Sequence, residues 1–517
     1  MTPTTVCRCL IALVAMMTGG TSLAQPSSAS ITGRVRQHRQ AHEGDILREL
    51  RDLVAVPNLA REKGDIARNA ALLRQMLERR GFSTALLTVP EAAPAVLGEL
   101  TVPGATRTVV FYAHYDGQPV TLTDWRTPPW APVLRAGTLD AAIIPWESLP
   151  SQLPAEARMY GRSTSDDKGP IVALLAGLDA LRAAGLAPSV NLKVFLEGEE
   201  EAGSPHLESL LRTHAERLRA DAWIFGDGPV HQSRQALVSF GVRGTIDLEL
   251  TTYGPVRPVH SGHYGNWAPN PAAALAQLLA TMRDDDGRIL IEGFAERVRP
   301  LSPAERAAIA AEPPVDDEVA RALALGRRES KGGRLLEAIT VPALNVRGLR
   351  AGDVGERAAN AVPTEAQASI DFRLVPDVTP DVVKALVETH LRAQGYHVVR
   401  DAPDEETRRA HPRLVRVEWG PGYPGYRASM DLPFARAVVD IVTQAGGRPP
   451  VLMPNMGGSL PLYLFADILK APIITVPVVN HDNNQHAANE NLRIQNLWDA
   501  IETYALLLAR LDAAWPR

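Results

Sequence analysis

Histidine and acidic residues follow four short apolar segments of this chain of 517 residues. The segments, each with the residues after it, are 108–112 with His114 and Asp116, 191–196 with Glu199, Glu200 and Glu201, 222–225 with Asp227, and 473–479 with His481 and His486. Asp166 and Asp167 supply two more carboxylates directly before a predicted helix. Imidazole and carboxylate ligands without sulfur suit a pair of divalent cations, zinc above all, with cobalt or manganese as alternatives.

Such a pair of cations could activate water for hydrolysis. Two ions about 3.5–4 Å apart need a bridging carboxylate, and they lower the pKa of a water between them toward ~7. A free carboxylate nearby can then take the proton of that water, and the run 199–201 could supply both a ligand and this base. Each motif alone has an ordinary alternative, because a glutamate triplet is usually a solvated face and Asp166 and Asp167 could cap a helix. The hypothesis therefore rests on their order together.

The apolar segments must be placed so that these residues meet. They are rich in β-branched and aromatic residues, which predicts strands, and helical patterns at 169–184 and 206–220 separate the first three. Strands alternating with helices predict a mainly parallel sheet with helices on both faces. Ligands of such sheets bind outside the carboxyl ends of the strands, where the acids and histidines occur.

Composition and charge exclude several classes of protein. Hydrophobic residues make up 45%, charged residues 22%, and the net charge is -5, as in an ordinary globular protein. These values exclude a disordered chain, collagen and a polytopic membrane protein, and the length suggests two to four domains. No basic excess points to nucleic acid, so we expect no such partner.

The first 24 residues predict a signal peptide. Arg8 precedes an apolar run at 10–17, and the small residues Ser22 and Ala24 fit a cleavage site. The run is too short to span a bilayer, although an uncleaved anchor is the alternative. Both cysteines lie in this segment, at positions 7 and 9, so the mature chain would have neither a disulfide nor thiol chemistry. We expect an exported protein, periplasmic or extracellular, with no membrane association after cleavage.

Eight stretches together resemble one known family. They are 112–119 (YAHYDGQP), 160–170 (YGRSTSDDKGP), 195–204 (FLEGEEEAGS), 225–228 (FGDG), 259–265 (VHSGHYG), 370–376 (IDFRLVP), 457–461 (GGSLP) and 486–492 (HAANENL). In order and approximate spacing they resemble the dinuclear zinc metallopeptidases of peptidase family M20, which include carnosinase and related dipeptidases, glutamate carboxypeptidase, aminoacylase and succinyl-diaminopimelate desuccinylase. The resemblance extends from about Asp45 to the C-terminus and looks closest to the dipeptidases.

The resemblance implies a ligand set for two metal ions. His114 and Asp227 would bind the first ion, Glu201 and His486 the second, and Asp166 would bridge them. Asp116 would orient the His114 ring, and Glu200 would be the general base. The glutamate triplet leaves the register of base and ligand ambiguous by one position, and the trailing Ala-Gly-Ser fixes it by its match to the family pattern.

The resemblance also implies residues that bind the substrate. His260 would stabilise the oxyanion, often across a dimer interface, and Arg373 would pair with the free carboxylate of the substrate. Asn360 would hydrogen-bond the same substrate, while Gly458 and Ser459 would line the pocket. Arg373 could instead form a structural salt bridge, and His260 could be a turn residue. A homodimer is implied by the resemblance alone.

The family fold implies an α/β catalytic domain with a mainly parallel sheet, interrupted by a smaller ferredoxin-like α+β lid and dimerisation domain. We place the catalytic domain at 40–237 and 414–517 and the lid at 238–413. Strand patterns at 243–252, 367–374 and 396–399 and helical patterns at 271–282 and 380–394 fit a ferredoxin-like unit. Residues 284–335 are expected to be helical, and 431–445 should return as a helix to the catalytic domain.

Two features depart from the family pattern. Ser163 stands where glycine is usual, so the loop before Asp166 could be shaped differently. Residues 138–157 look longer than the usual link and could border the substrate pocket.

The leading hypothesis is a secreted metal-dependent peptidase that hydrolyses dipeptides or small peptides with a free C-terminal carboxylate. The alternative is an aminoacylase or N-carbamoyl amino acid amidohydrolase that acts on N-acyl amino acids. A solute-binding protein or an inactive relative would not need Glu200 and a complete ligand set, so both are disfavoured.

Overall fold

The computed structural model describes residues 26–516, and the predicted signal peptide at 1–24 lies outside them. The described chain contains an eight-stranded, a five-stranded and a four-stranded sheet, together with two pairs of short strands. In this part of the chain no helix combines the length and the apolar character needed to cross a membrane.

The eight-stranded sheet has its parallel strands at the centre. In spatial order its strands are Ser83–Leu87, Ala95–Leu100, Asn191–Glu197, Thr108–His114, Ala222–Phe225, Ile473–Thr475, Leu237–Ser239 and Val451–Met453. Four of the seven neighbouring pairs are parallel, and three of these join the four central strands. The predicted α/β fold class is confirmed, although the sheet is more mixed than a purely parallel one.

Helices cover both faces of this sheet. The first face carries Ser28–Val54, Lys63–Glu78, Lys168–Ala183, Pro433–Gly446 and Ile494–Ala514, and the second carries Leu207–Thr213, Ala215–Leu218 and Leu462–Leu469. The central strand Thr108–His114 is buried along almost its whole length, as expected for a strand covered on both sides. Helix Lys168–Ala183 is also apolar nearly all round, because helices Ser28–Val54 and Ile494–Ala514 pack against it.

Two predicted elements differ in the structure. The strand predicted at 473–479 is Ile473–Thr475, since Pro477 cannot donate a backbone hydrogen bond. The helix predicted at 206–220 divides into Leu207–Thr213 and Ala215–Leu218 at His214, whose φ is -109° and ψ is 16°. The repeated leucines of both short helices nevertheless face the sheet.

The five-stranded sheet forms a second core. Its order is Ala343–Arg350, Glu365–Leu374, Gly244–Tyr253, Leu414–Tyr423 and His397–Val399, with helices Pro271–Met282 and Pro380–Ala393 packed on it. Without Leu414–Tyr423, the order and the two helix crossings are those of a ferredoxin-like unit. Leu414–Tyr423 inserts between the first and last strands of that unit and pairs with Gly244–Tyr253.

The predicted domain boundaries fall within strands of these two sheets. The boundary at 237/238 lies in Leu237–Ser239 of the first sheet. The boundary at 413/414 lies at the start of Leu414–Tyr423, which belongs to the second sheet, so the chain returns to the first sheet after Tyr423. The short pair Gly241–Val242 with Tyr426–Arg427 joins the two sheets where the chain crosses between them.

Segment 284–335 contains the short helices Pro303–Ala311 and Asp316–Ala322 and the one-turn helices Ala295–Arg297 and Ser330–Gly332. Helix Pro303–Ala311 begins with a complete capping box formed by Ser302 and Glu305. Other short helices of the chain between the strands of the second sheet include Ser261–Tyr264, Leu335–Ala338 and Glu405–Ala410.

Residues 138–157 pack away from the acidic cluster. Strand Ile143–Ile144 joins Val133–Arg135 in the four-stranded sheet, which Arg158–Tyr160 and Asn491–Arg493 complete. Trp146, Leu149 and Leu153 pack against the first core, and the guanidinium of Arg51 lies 5.3 Å from the centroid of the Trp146 ring. The expectation that this segment borders the pocket is therefore not met by the cavity described below.

Candidate metal centre

The central strands deliver four of the predicted residues to one edge of the sheet. His114 is the last residue of Thr108–His114, which lies parallel to and between Asn191–Glu197 and Ala222–Phe225. Glu200 and Glu201 follow the second of these strands, and Asp227 follows the third. Their side chains meet because the carboxyl ends of parallel strands lie at the same edge.

The Asp166 carboxylate lies between two histidines. Its Oδ1 is 2.9 Å from Nε2 of His114, and its Oδ2 is 3.2 Å from Nε2 of His486. One oxygen thus faces each imidazole, which is the arrangement that a carboxylate bridging two cations requires. Asp166 precedes helix Lys168–Ala183, and the peptide bond between Asp166 and Asp167 is cis.

Asp116 fixes the loop that carries the glutamates. Its Oδ1 accepts a hydrogen bond from the backbone N–H of Glu200 at 3.1 Å, and its Oδ2 accepts one from Glu201 at 3.0 Å. The same carboxylate lies 3.4 Å from Nδ1 of His114. One buried side chain therefore orients the imidazole and the loop together.

The three glutamates of the triplet face different partners. Glu199 turns away from the cluster and accepts hydrogen bonds from the backbone of Ala93 and His206, both at 3.1 Å. Oε2 of Glu200 lies 3.9 Å from Nε2 of His114, and Oε2 of Glu201 lies 3.4 Å from Nε2 of His486. Glu200 and Glu201 therefore face the two histidines of the cluster, whereas Glu199 does not.

The donor atoms form two groups compact enough for cations. One group contains His114, Asp166 and Glu201, the other contains His114, Asp167 and Asp227, and within each group the donor atoms lie within 4.8 Å of one another. Asp167 carries no role in the sequence prediction, although it is buried and faces the same space. Its position directly after Asp166 was the available signal, but capping of the next helix explained it equally well.

The acids of the cluster repel one another in the absence of cations. Burial raises the pKa of Glu201 to about 8 and that of Asp227 to about 6, and the Asp166 charge adds to both. Burial also raises the pKa of Glu200 well above its usual range. Burial acts in the same direction on Asp166, but hydrogen bonds from His114 and His486 outweigh it and hold that pKa below its usual value.

These residues fit two divalent cations. Buried carboxylates with raised pKa values become charged when cations neutralise them, and two imidazoles complete a set of nitrogen and oxygen donors. Such donors accept zinc, cobalt or manganese, so the geometry does not select one metal.

Glu490 supports the backbone of the Asp166 loop and was not predicted as a functional residue. It is fully buried, and its Oε1 accepts hydrogen bonds from the backbone N–H groups of Ser165 and Asp166, both at 3.0 Å. Its Oε2 accepts hydrogen bonds from the Arg162 guanidinium and the Ser163 backbone, both at 2.8 Å. The signal was its place in the 486–492 stretch, four residues after His486.

Ser163 keeps the backbone conformation that glycine favours. Its φ is 66°, in the left-handed region that costs an L-residue about 1–2 kcal/mol. The hydroxyl accepts a hydrogen bond from Nδ2 of Asn58 at 2.8 Å, which links the loop to the segment after the first helix. Ser163 therefore has a backbone conformation that glycine favours and makes a side-chain contact that glycine could not make.

A cavity of about 380 Å³ opens beside the cluster. Its lining includes Asp166, Glu200, Asp227 and His486 together with Gly458 and Ser459. Nη1 of Arg373 donates a hydrogen bond to Oγ of Ser459 at 3.0 Å, so this arginine lies behind one wall of the cavity. Arg373 also pairs with Asp371 at 3.1 Å, so the alternative of a structural salt bridge is realised as well.

His260 and Asn360 lie together on an exposed surface of the second domain. Val259–His260 pairs with Ala361–Val362, and the backbone N–H of Ser261 donates to the Asn360 carbonyl at 2.9 Å. Nδ1 of His260 accepts a hydrogen bond from the Gly262 backbone at 3.1 Å. Within residues 26–516, neither side chain lines the cavity beside the cluster.

Comparison with known sequences gives a consistent result. The family model described as Peptidase family M20/M25/M40 matches residues 110–510. The Cys-Gly metallodipeptidase of Schizosaccharomyces pombe is 25% identical over 432 residues, covering 82% of this chain and 84% of its own length. The human Beta-Ala-His dipeptidase is 24% identical over 497 residues, covering 92% of this chain and 91% of its own length.

Solved structures show the same architecture. The M20 family metallo-carboxypeptidase Sso-CP2 from Sulfolobus solfataricus superposes with a TM-score of 0.73 at 27% identity, covering 90% of this chain and 99% of its own. Human carnosine dipeptidase 1 superposes with a TM-score of 0.71 at 22% identity, covering 94% and 99%. The second likeness shows the fold alone.

Proposed function

The chain belongs to Peptidase family M20/M25/M40 and is a metallopeptidase, and on this premise we propose that it is a dipeptidase that requires two divalent cations. Its substrate would be a dipeptide with a free C-terminal carboxylate, and zinc is the cation we favour. The observation that carries the proposal is the Asp166 carboxylate, with one oxygen 2.9 Å from His114 and the other 3.2 Å from His486.

The proposed ligand set is the one that the family resemblance implies, and the two compact donor groups contain four of its five members. His114 and Asp227 would hold one cation, Glu201 and His486 the other, and Asp166 both. When bound, the cations would polarise the scissile carbonyl and lower the pKa of the attacking water. Asp116 keeps the His114 ring and the Glu200–Glu201 backbone in place throughout.

Glu200 would move the proton. Its carboxylate lines the cavity, lies 3.9 Å from His114, and has no role in the proposed ligand set. It would take a proton from the attacking water and then give it to the nitrogen of the leaving amine, so that the amine departs neutral. Burial, which raises the pKa of Glu200, favours a group that can both accept and release a proton.

Arg373 and Ser459 would bind the substrate carboxylate. The Arg373 side chain is 38% exposed and its guanidinium already donates to the Ser459 hydroxyl. A guanidinium fork recognises a carboxylate through two parallel hydrogen bonds. Gly458 and Ser459 lie in the cavity wall, which places this end of the substrate beside the metal-binding acids.

His260 and Asn360 would act on the substrate of a second copy. Both lie on an exposed surface, and the homodimer would bring this surface to the cavity of the other chain. In that position the His260 imidazole would donate to the oxygen that becomes negative during attack.

We also propose export of the mature chain, on the strength of the apolar run and the cleavage pattern within residues 1–24.

A release assay on the purified mature chain tests the proposed function. The panel would contain dipeptides, tripeptides and N-acyl amino acids, each with and without chelator and with zinc added back. We expect cleavage of dipeptides that is lost with chelator and restored by zinc. Cleavage of N-acyl or N-carbamoyl amino acids alone would contradict the dipeptidase and move the activity to an amidohydrolase.

A further inference from the structure

A buried histidine outside the predicted ligand set forms part of the cavity wall. His231 follows Asp227 by four residues, is 2% exposed, and lines the cavity beside Asp166 and Glu200. It is not among the donor groups compact enough to hold a cation in the described chain. His231 therefore borders the space for substrate without belonging to the metal centre.

Both nitrogens of this ring are held by the protein. Nδ1 of His231 accepts a hydrogen bond from the Ser233 backbone N–H at 3.2 Å and lies 2.9 Å from the Ser233 hydroxyl. Nε2 lies 3.2 Å from Oε1 of Glu312. Because Nδ1 is an acceptor here, the ring proton is on Nε2 and is donated to Glu312. The imidazole is thus fixed in orientation and has no free nitrogen for the substrate.

Glu312 belongs to segment 284–342, and another residue of that segment holds its side chain in place. It follows helix Pro303–Ala311, is 8% exposed, and its Oε2 lies 2.8 Å from the Arg334 guanidinium. The helix packs against strand Val451–Met453 of the first sheet, and its Glu305 pairs with the buried Arg427 at 3.0 Å. A segment that is inserted between strands of the second sheet therefore braces a wall of the cavity.

The wall that contains His231 would contact the amino side of the substrate. In the proposed function, Ser459 and Arg373 bind the carboxylate end, and the scissile bond lies at the acidic cluster. The wall that remains is mainly apolar and contains Val230, His231 and Met453. The cavity volume of about 380 Å³ is near the lower end of the ~300–1,000 Å³ typical of small-molecule sites. A fixed ring in the wall of such a small cavity limits the length of the peptide that can bind.

We infer that His231, held by Glu312, is a specificity-determining residue that blocks extension of the substrate beyond one residue on the amino side of the scissile bond. The inference rests on the proposed dipeptidase function and deepens it. The imidazole closes the cavity at that end, and the uncharged lining favours an apolar amino-terminal residue.

The test compares Leu-Gly with Ala-Leu-Gly, which extends the same dipeptide by one residue. We expect the wild type to prefer Leu-Gly strongly, and His231→Ala to raise the ratio of kcat/KM for the tripeptide over the dipeptide by about tenfold or more, since such pockets discriminate by ~10–200-fold per small group. Glu312→Ala, which frees the ring, should raise the ratio by a smaller factor. Glu312→Gln keeps an acceptor for Nε2, so its ratio should stay nearer that of the wild type.

His390→Ala serves as the matched control, because His390 makes a comparable contact, 2.9 Å to Thr281, far from the cavity lining. Metal content and thermal unfolding of each variant separate folding from specificity, and His231→Gln replaces His231→Ala if the latter does not fold. An unchanged ratio in folded, metal-loaded His231→Ala or His231→Gln, or a wild type that cleaves both peptides equally well, would overturn the inference alone. A wild type that cleaves neither peptide would overturn the dipeptidase as well.

Discussion

The metal centre and the exposed surface that carries His260 and Asn360 differ in how completely one chain builds them. At the metal centre, four side chains follow strand ends of one sheet, and buried partners such as Asp116 and Glu490 hold them. On the second domain, His260 and Asn360 are exposed and bonded mainly to their own loop and paired strand. Both sets were predicted from the family resemblance, and for His260 the alternative of a turn residue stayed open.

The difference shows which residues a single fold can place. Parallel strands fix their carboxyl ends relative to one another, so residues that follow them meet without help from another body. Exposed residues of the inserted domain, such as His260 and Asn360, would reach the same reaction through domain closure or a second copy, whereas Arg373 already contacts Ser459 of the cavity wall within one chain. We therefore expect the metal-binding residues to form a complete site within one chain, and His260 and Asn360 to need a second copy.

Removal of the bridging carboxylate should have the largest effect. Asp166→Ala deletes the group that faces both His114 and His486, and it leaves mutually repelling acids without the residue that joins the two sites. We expect loss of both ions together and activity at the level of chelator-treated wild type. Metal analysis of the dialysed protein and the dipeptide assay measure this.

Asp431→Ala is the matched control, since this exposed aspartate pairs with Arg436 at 2.8 Å on the surface. A stable form of Asp166→Ala with one ion and high activity would show that Asp166 does not bridge. In that case the two cation sites would not depend on one shared carboxylate.

Glu200→Gln should separate chemistry from metal binding. The amide keeps the shape of the side chain but cannot accept the proton, and general acid–base catalysis contributes about 10²–10⁴-fold. We expect kcat to fall by that factor while two ions remain bound. Glu199→Gln controls for the triplet, because Glu199 faces Ala93 and His206 instead. Equal losses in both variants would contradict the assigned register.

Motifs at strand ends allowed much of the fold and cluster to be predicted. The segment at 108–112 is short, apolar and rich in β-branched residues. This composition is typical of a strand that is buried on both faces, as Thr108–His114 is. The helix at 206–220 was predicted too long, because its periodicity continues through His214 although the backbone there turns. Periodicity reports which face is buried and does not report such interruptions.

Residues that act through others were missed. Asp167 was noted among the carboxylates but received no role, and Glu490 has no local pattern of its own. The importance of both depends on burial or on contacts with residues more than 50 positions away. His231 escaped notice for the same reason, because its partner Glu312 lies 81 positions away. Long-range polar contacts of this kind are set by tertiary packing rather than by spacing.

His260→Ala tests the exposed surface of the second domain, which would need a second copy to reach the substrate. Loss of a donor to the oxyanion costs about 10²–10³-fold in kcat, and we expect a loss of that size with normal metal content. If His260 serves the other copy, mixing inactive His260→Ala with inactive Glu200→Gln should restore about a quarter of wild-type activity, because half of the random dimers are mixed and each has one complete site.

Mixtures that stay inactive after verified subunit exchange would place His260 in its own chain's site or outside the reaction. The single variants measured alone are the controls for the mixture. Either result shows whether a second copy brings the exposed surface to the site.

Glu490→Gln should give the smallest effect in this series. The amide keeps one acceptor for the backbone of Ser165 and Asp166, but it loses the charge that pairs with Arg162 at 2.8 Å in a fully buried site. Partners that orient a metal ligand are worth about 10–100-fold in metal affinity, so we expect weaker metal binding with kcat restored at saturating zinc. Titration of activity with buffered zinc measures this, and Glu502→Gln, a helix glutamate paired with Arg36 away from the cluster, is the control. Unchanged zinc affinity would mean that the Asp166 loop is held by Ser163 and Asn58 without Glu490, and the metal centre would then be less dependent on its buried supports than its contacts imply.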